Sequence, residues 1–145
     1  MVAMLSSDTL HATTVSVGGR AIMIEGVSGA GKSDLALRLI DRGALLVSDD
    51  YTFVQRRAGR IVASAPATIA GKIEVRGLGI LDMPNVAEAP VALVVTLGEP
   101  AARLPEPGQA RSLLGVDIPL LSLDGREASA PFKAELALQR LGTPA

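Results

Sequence analysis

The octet Gly26-Val27-Ser28-Gly29-Ala30-Gly31-Lys32-Ser33 constrains this chain more than any other stretch. It satisfies the phosphate-loop pattern G-x-x-x-x-G-K-[ST] without a mismatch. Its flanks agree with it: residues 20–25 read as a short buried strand and residues 34–42 as a helix. A strand, a glycine-rich turn and a helix N-terminus in series aim backbone N–H groups at one point, where the helix dipole also favours an anion. Glycines are required because the loop takes backbone angles closed to residues with a Cβ and must let phosphate approach closely. In such a loop Lys32 reaches the β- and γ-phosphates and the Ser33 hydroxyl helps to hold Mg²⁺. The fold expected around it is α/β, a phosphate-loop nucleotide-binding domain with a mixed central sheet flanked by helices.

A chain of 145 residues fits one domain, able to bury about two-thirds of its unfolded surface. We expect residues 1–9 to be an N-terminal tail and residues 10–145 to form that domain. The hydrophobic fraction is 48%, but Tyr51, Phe53 and Phe132 are the only aromatics, so the core must be aliphatic. A net charge of −1 supplies no basic field, and no nucleic-acid partner is expected. The absence of cysteine excludes disulfides, thiolate metal sites and a cysteine nucleophile. The first residues lack the basic and long apolar runs of a signal peptide, and the apolar stretch 91–95 is far too short to span a bilayer. A soluble cytoplasmic protein with no membrane partner is the expectation.

In chain order, residues 10–17 form a β-branched strand that turns at Gly18-Gly19 into the strand before the phosphate loop. The helix after Lys32 carries Leu35, Leu39 and Ile40 on one face and stops at Gly43. Residues 44–47 read as a strand buried on both faces, ending in Ser48-Asp49-Asp50. Residues 51–57 and 60–63 flank Ala58-Gly59 as a hairpin, and 66–71 is a small-residue connection. Polar residues between glycines fill 72–81. A buried strand follows at 91–97, then a proline-rich loop at 99–109, the only lid candidate, and a strand at 117–123. Ser129 is expected to cap a last helix that has Pro131 in its first turn and runs to Leu141 before Gly142.

Three groups outside the loop are candidates for chemistry. Asp49 and Asp50 close a buried strand, where α/β folds gather their ligands. If the segment is extended they point to opposite sides, leaving one for nucleotide and metal and the other for structure. His11 is the only histidine. Glu74 and Arg76 straddle Val75 and share one side of an extended segment; a carboxylate there suits Mg²⁺ and a guanidinium grips phosphate oxygens, unless the two form a surface ion pair.

Taken together, His11, the loop, Asp49-Asp50 and Glu74-Val75-Arg76-Gly77-Leu78-Gly79-Ile80 resemble the catalytic domain of HPr kinase/phosphorylase over almost the whole chain, about residues 10–141. The resemblance implies a Mg²⁺-dependent serine protein kinase that uses ATP on an HPr-like phosphocarrier protein of the phosphotransferase system, removes the phosphate by phosphorolysis, and assembles as a hexamer. By the same resemblance, residues 26–33 bind nucleotide, with Lys32 on phosphate and Ser33 and Glu74 on Mg²⁺. Asp50 exchanges the proton of the target serine and His11 supports it. The segment through Met83, Arg76 included, serves both directions, while Arg103 and Arg126 match later catalytic positions.

The chain departs from the family pattern in several places. Asp34 stands where Glu is usual, Ala12 where Gly commonly follows the histidine, and Leu123-Asp124 where Arg-Pro precedes Gly125-Arg126. The resemblance is to a short form with the C-terminal catalytic part alone. The rival expectations are a small-molecule phosphate-loop kinase and an ATP-sensing module without phosphoryl transfer, which would tolerate loss of Asp50.

Overall fold

The structure is a computed structural model and describes residues 6–98 and 108–144. Its strands are β1 (Ser7–Leu10), β2 (Thr13–Val17), β3 (Arg20–Gly26), β4 (Leu45–Ser48), β5 (Thr52–Arg57), β6 (Arg60–Ser64), β7 (Lys72–Val75), β8 (Gly79–Asp82), β9 (Glu88–Leu97), β10 (Ala110–Leu113) and β11 (Val116–Leu123). The helices are α1 (Lys32–Asp41) and α2 (Ala130–Leu141), with a 3₁₀ turn at Ala67–Ile69. Nine strands form one mixed sheet, and β7 and β8 make a separate hairpin.

The sheet is organised by β9, whose Ala-Val-Leu-rich run is almost wholly buried. It lies parallel to β3 on one side and to β11 on the other, while its first residues pair antiparallel with β6. A register shift opposite Ala21 and Ile22 sets Val91 beside Ala21 and Leu93 beside Ile22. Each pair therefore stays on its own face, and two cores result. Ile22, Ile24, Leu93 and Val95 pack against Leu35 and Leu39 of α1 and Ala134 and Leu138 of α2. Ala21, Met23, Val91 and Val94 pack against Val54, Ile61 and Ala63 of the curled β5–β6 arm and against Leu113 and Ile118. The expected mixed sheet with flanking helices is present, with both helices on one face and strands folded over the other. Each fully buried Leu or Ile in these layers is worth about 1.5–3 kcal/mol, so aliphatic side chains suffice without aromatics.

Three local expectations need correcting, and one is met in an unexpected pairing. The tail assigned to residues 1–9 overlaps β1, which pairs Ser7 with Gln55 and Leu10 with Thr52. Residues 44–47 are covered on both faces as expected, Leu46 entering one core and Val47 the other, with Leu45 alone exposed and β4 paired antiparallel with β2. Residues 110–113, given no structure above, pair with β11. Ser129 precedes α2, but its hydroxyl makes no capping bond; its carbonyl accepts from Lys133 N–H instead. The loop at 99–109, with Arg103, lies largely outside the described residues.

One turn matches expectation and matters for the site. Gly18 and Gly19, both at positive φ, close the β2–β3 hairpin. Because β4 is antiparallel to β2, and β2 to β3, strands β3 and β4 run the same way. Gly26 and Ser48 therefore end at one edge of the sheet, and the phosphate loop and the aspartate pair emerge together.

Candidate active site

The loop leaves β3 at Gly26, where a Cβ would stand 2.9 Å from the Leu97 carbonyl. This is the one loop glycine excluded from substitution by packing. Gly29 and Gly31 take φ of 84° and 97° and have open space where a Cβ would be, so they form a cradle facing solvent. Gly31 precedes α1 without a side-chain cap, so the first helical N–H groups are left for a ligand. Lys32 is nearly buried and donates from Nζ to Gly26 O (2.9 Å) and Val27 O (3.2 Å).

Ser33 Oγ donates to Asp49 Oδ1 at 2.6 Å. Asp49 is 7% exposed and also accepts from Thr13 Oγ1 (3.1 Å) and from the backbone N–H of Glu74 (3.1 Å). It ties three elements to the loop serine, where the sequence alone left open whether Asp49 serves metal or structure. Asp50 turns away. Its φ of 66° is left-handed, at a cost of about 1–2 kcal/mol, and Tyr51 N–H closes a three-residue turn on Asp49 O. The two carboxylates diverge as expected, through this turn rather than an extended pleat.

His11 is the central residue of a matching turn, closed by Ala12 N–H on Leu10 O. The registers Leu10↔Thr52 and Thr14↔Ser48 are continuous, so residues 11–13 and 49–51 form one interruption in a single antiparallel ladder. Side chains replace the lost backbone bonds there. Thr13 Oγ1 accepts from Asp50 N–H, Thr52 Oγ1 donates to Ala12 O, and Thr14 and Thr52 hydroxyls meet at 2.9 Å. The break frees His11 Nε2 to face Asp50 Oδ1 at 2.8 Å. A carboxylate only accepts, so Nε2 carries the proton.

These groups border one cleft of about 580 Å³, lined by residues 28–34, His11, Leu37, Asp50, Glu74, Val75, Arg76, Gly125 and Arg126. Glu74 and Arg76 reach it from the β7–β8 hairpin, both exposed, and Arg76 has no side-chain partner among the described residues. Arg126 reaches it too, but Asp124 holds its guanidinium through two bonds (3.0 and 3.1 Å). This pairing lowers the Asp124 pKa and raises that of Arg126. The aspartate that departs from the family pattern is therefore the partner of Arg126. Arg38 of α1 fastens this turn by donating to the carbonyls of Gly125 and Glu127, a link invisible in the sequence.

The residues fit a nucleotide with a hard divalent ion. Among the described residues no three His, Cys, Asp or Glu side chains converge. A metal would rest on the Ser33 hydroxyl and one or two carboxylates, completed by phosphate oxygens and water, which is how Mg²⁺ prefers to bind.

A phosphate loop at a strand end, a carboxylate on its serine and a second acid lining the same cleft define a phosphate-loop nucleotide-binding domain. The description "HPr Serine kinase C-terminal domain" matches residues 3–129, and the chain belongs to that family. The HPr kinase/phosphorylase of Caldicellulosiruptor bescii is 37% identical over 131 residues, covering 81% of this chain and 42% of that protein. That of Clostridium tetani is 47% identical over 77 residues, 53% of this chain and 25% of the relative. The chain thus spans between a quarter and two-fifths of the length of these relatives. The solved Hpr(Ser) kinase/phosphatase of Coxiella burnetii superposes with a TM-score of 0.78 at 27% identity, covering 91% of this chain and 94% of that one.

Proposed function

We propose that this protein is an ATP-dependent serine protein kinase that phosphorylates an HPr-like phosphocarrier protein and reverses the reaction by phosphorolysis. The observation that carries this reading is the shared cleft, lined both by the phosphate loop and by the paired Asp50 and His11. In this reading residues 26–33 hold the nucleotide phosphates, and Ser33, Asp49 and Glu74 hold Mg²⁺, which when bound neutralises phosphate charge. Asp50 Oδ2 has no protein partner among the described residues and receives the proton of the acceptor serine. His11 fixes the carboxylate by donating to Oδ1. Arg76 and, once released from Asp124, Arg126 supply cationic groups for phosphate oxygens, and Arg103 is a further candidate. A cytoplasmic location and a homo-oligomer, a hexamer by family, belong to the same proposal. Among the described residues no helix is long and apolar enough to cross a membrane.

The direct test is incubation with γ-labelled ATP, Mg²⁺ and an HPr-like protein, followed by locating the label. Label on an acceptor serine is expected. Hydrolysis alone, or label on a small molecule, would overturn the protein-kinase reading. Glu74→Gln should raise the Mg²⁺ concentration needed for half-maximal rate and slow turnover, because a neutral amide is a poorer ligand for a hard cation. An unchanged Mg²⁺ titration would remove Glu74 from the metal site.

A further inference from the structure

The ladder interruption contains one more side chain with no assigned role. Tyr51 stands opposite His11 in the continuous register, and the two rings stack with centroids 5.2 Å apart and planes at 25°. Tyr51 does not line the cleft; it reaches it only through the imidazole. Its backbone is pinned on both sides, the N–H donating to Asp49 O and the carbonyl accepting from Ser48 Oγ. The ring therefore has a fixed base. His11, by contrast, is half exposed and makes one side-chain hydrogen bond, to Asp50. One hydrogen bond leaves the ring free to swing about its Cβ, and a stacked neighbour removes that freedom.

We propose that Tyr51 is a positioning residue that holds the His11 ring in the plane where Nε2 meets the Asp50 carboxylate. Tyr51 touches no reacting atom and acts through His11 alone. The phenol hydroxyl makes no bond among the described residues, so the aromatic face is the working part. The proposal rests on the reading of His11 and Asp50 given above, and its test separates the two.

His11 is the only histidine, so its ring nitrogens give an unshared ¹⁵N signature in the full chain. Wild type and Tyr51→Phe should show one tautomer, with Nε2 protonated. Tyr51→Ala and Tyr51→Leu should show two nitrogens averaging toward a free imidazole. Leu keeps apolar bulk without a stacking face, which guards against a mere packing loss. In phosphoryl transfer to the acceptor protein, Ala and Leu should lower kcat roughly tenfold to a hundredfold, with KM for ATP unchanged and Phe near wild type. The double variant His11→Ala/Tyr51→Ala should lose no more than His11→Ala alone. Ring signals unaltered in both Ala and Leu variants, or additive losses in the double variant, would overturn the proposal. Altered ring signals with unaltered transfer would leave Tyr51 as the holder of the ring and remove His11 from the reaction.

Discussion

Lys32→Ala is expected to lower phosphoryl transfer by about a thousandfold while the protein keeps its fold. The lysine ammonium is nearly buried, and among the described residues its only partners are Gly26 O and Val27 O, two carbonyls of the loop itself. Losing those bonds removes about 0.5–1.5 kcal/mol each. Losing a preorganised charge aimed at transferring phosphate costs more, about 2.7–4 kcal/mol by comparison with other transition-state donors. Activity should therefore collapse while the thermal midpoint moves by a few degrees. Rates with the labelled acceptor and a melting curve measure both. Near-normal transfer would mean that the transferred phosphate does not bind at residues 26–33.

The loop could be read from sequence because every requirement on it is local. Glycine at φ 84° and 97°, a lysine on the first helical turn and apolar flanks all lie within about twenty residues. The β2–β3 and β5–β6 hairpins were legible for the same reason, each being two runs around a glycine-containing turn. What could not be read is non-local. Nothing in the run Thr13-Thr14-Val15-Ser16-Val17 reveals that Thr13 bonds Asp49 across thirty-six positions, or that Thr52 fills the gap beside Ala12. The acidic pair was visible, but its division of labour was argued from an extended pleat. The structure achieves the division with a left-handed Asp50, a conformation that no periodicity announces. The burial of β4 on both sides is legible, but its place is not: burial looks alike whether a strand lies at the centre of a sheet or at an edge covered by the 84–86 segment. Arg126 shows the limit of motif transfer. It lines the cleft, while its bond to Asp124 belongs to this chain's own departure from the pattern.

Asp50→Asn should damage the forward and reverse reactions together. In the forward direction a carboxylate must take the serine proton as that oxygen attacks phosphorus. In reverse the serine oxygen leaves and must regain its proton, and microscopic reversibility assigns that transfer to the same group. An amide keeps the size and can still accept from His11 Nε2, so the 2.8 Å contact and the local turn survive while the proton transfer does not. General acid–base assistance is worth about 10²–10⁴-fold, and that loss is expected in both directions with ATP binding nearly unchanged. Asp49→Asn should behave differently. Its carboxylate is buried and receives Ser33, Thr13 and the Glu74 N–H, so an amide must either face the Glu74 N–H with its NH₂ or force the Ser33 and Thr13 hydroxyls to accept where they now donate. That mismatch should cost about 1–3 kcal/mol of stability and weaken the metal side of the site, with activity partly recovered at high Mg²⁺. Kinase and phosphorolysis rates of both variants at saturating Mg²⁺ decide the matter. If Asp49→Asn abolishes both reactions while Asp50→Asn stays close to wild type, the base is the buried aspartate beside Ser33, and the exposed one held by His11 serves only the shape of the turn.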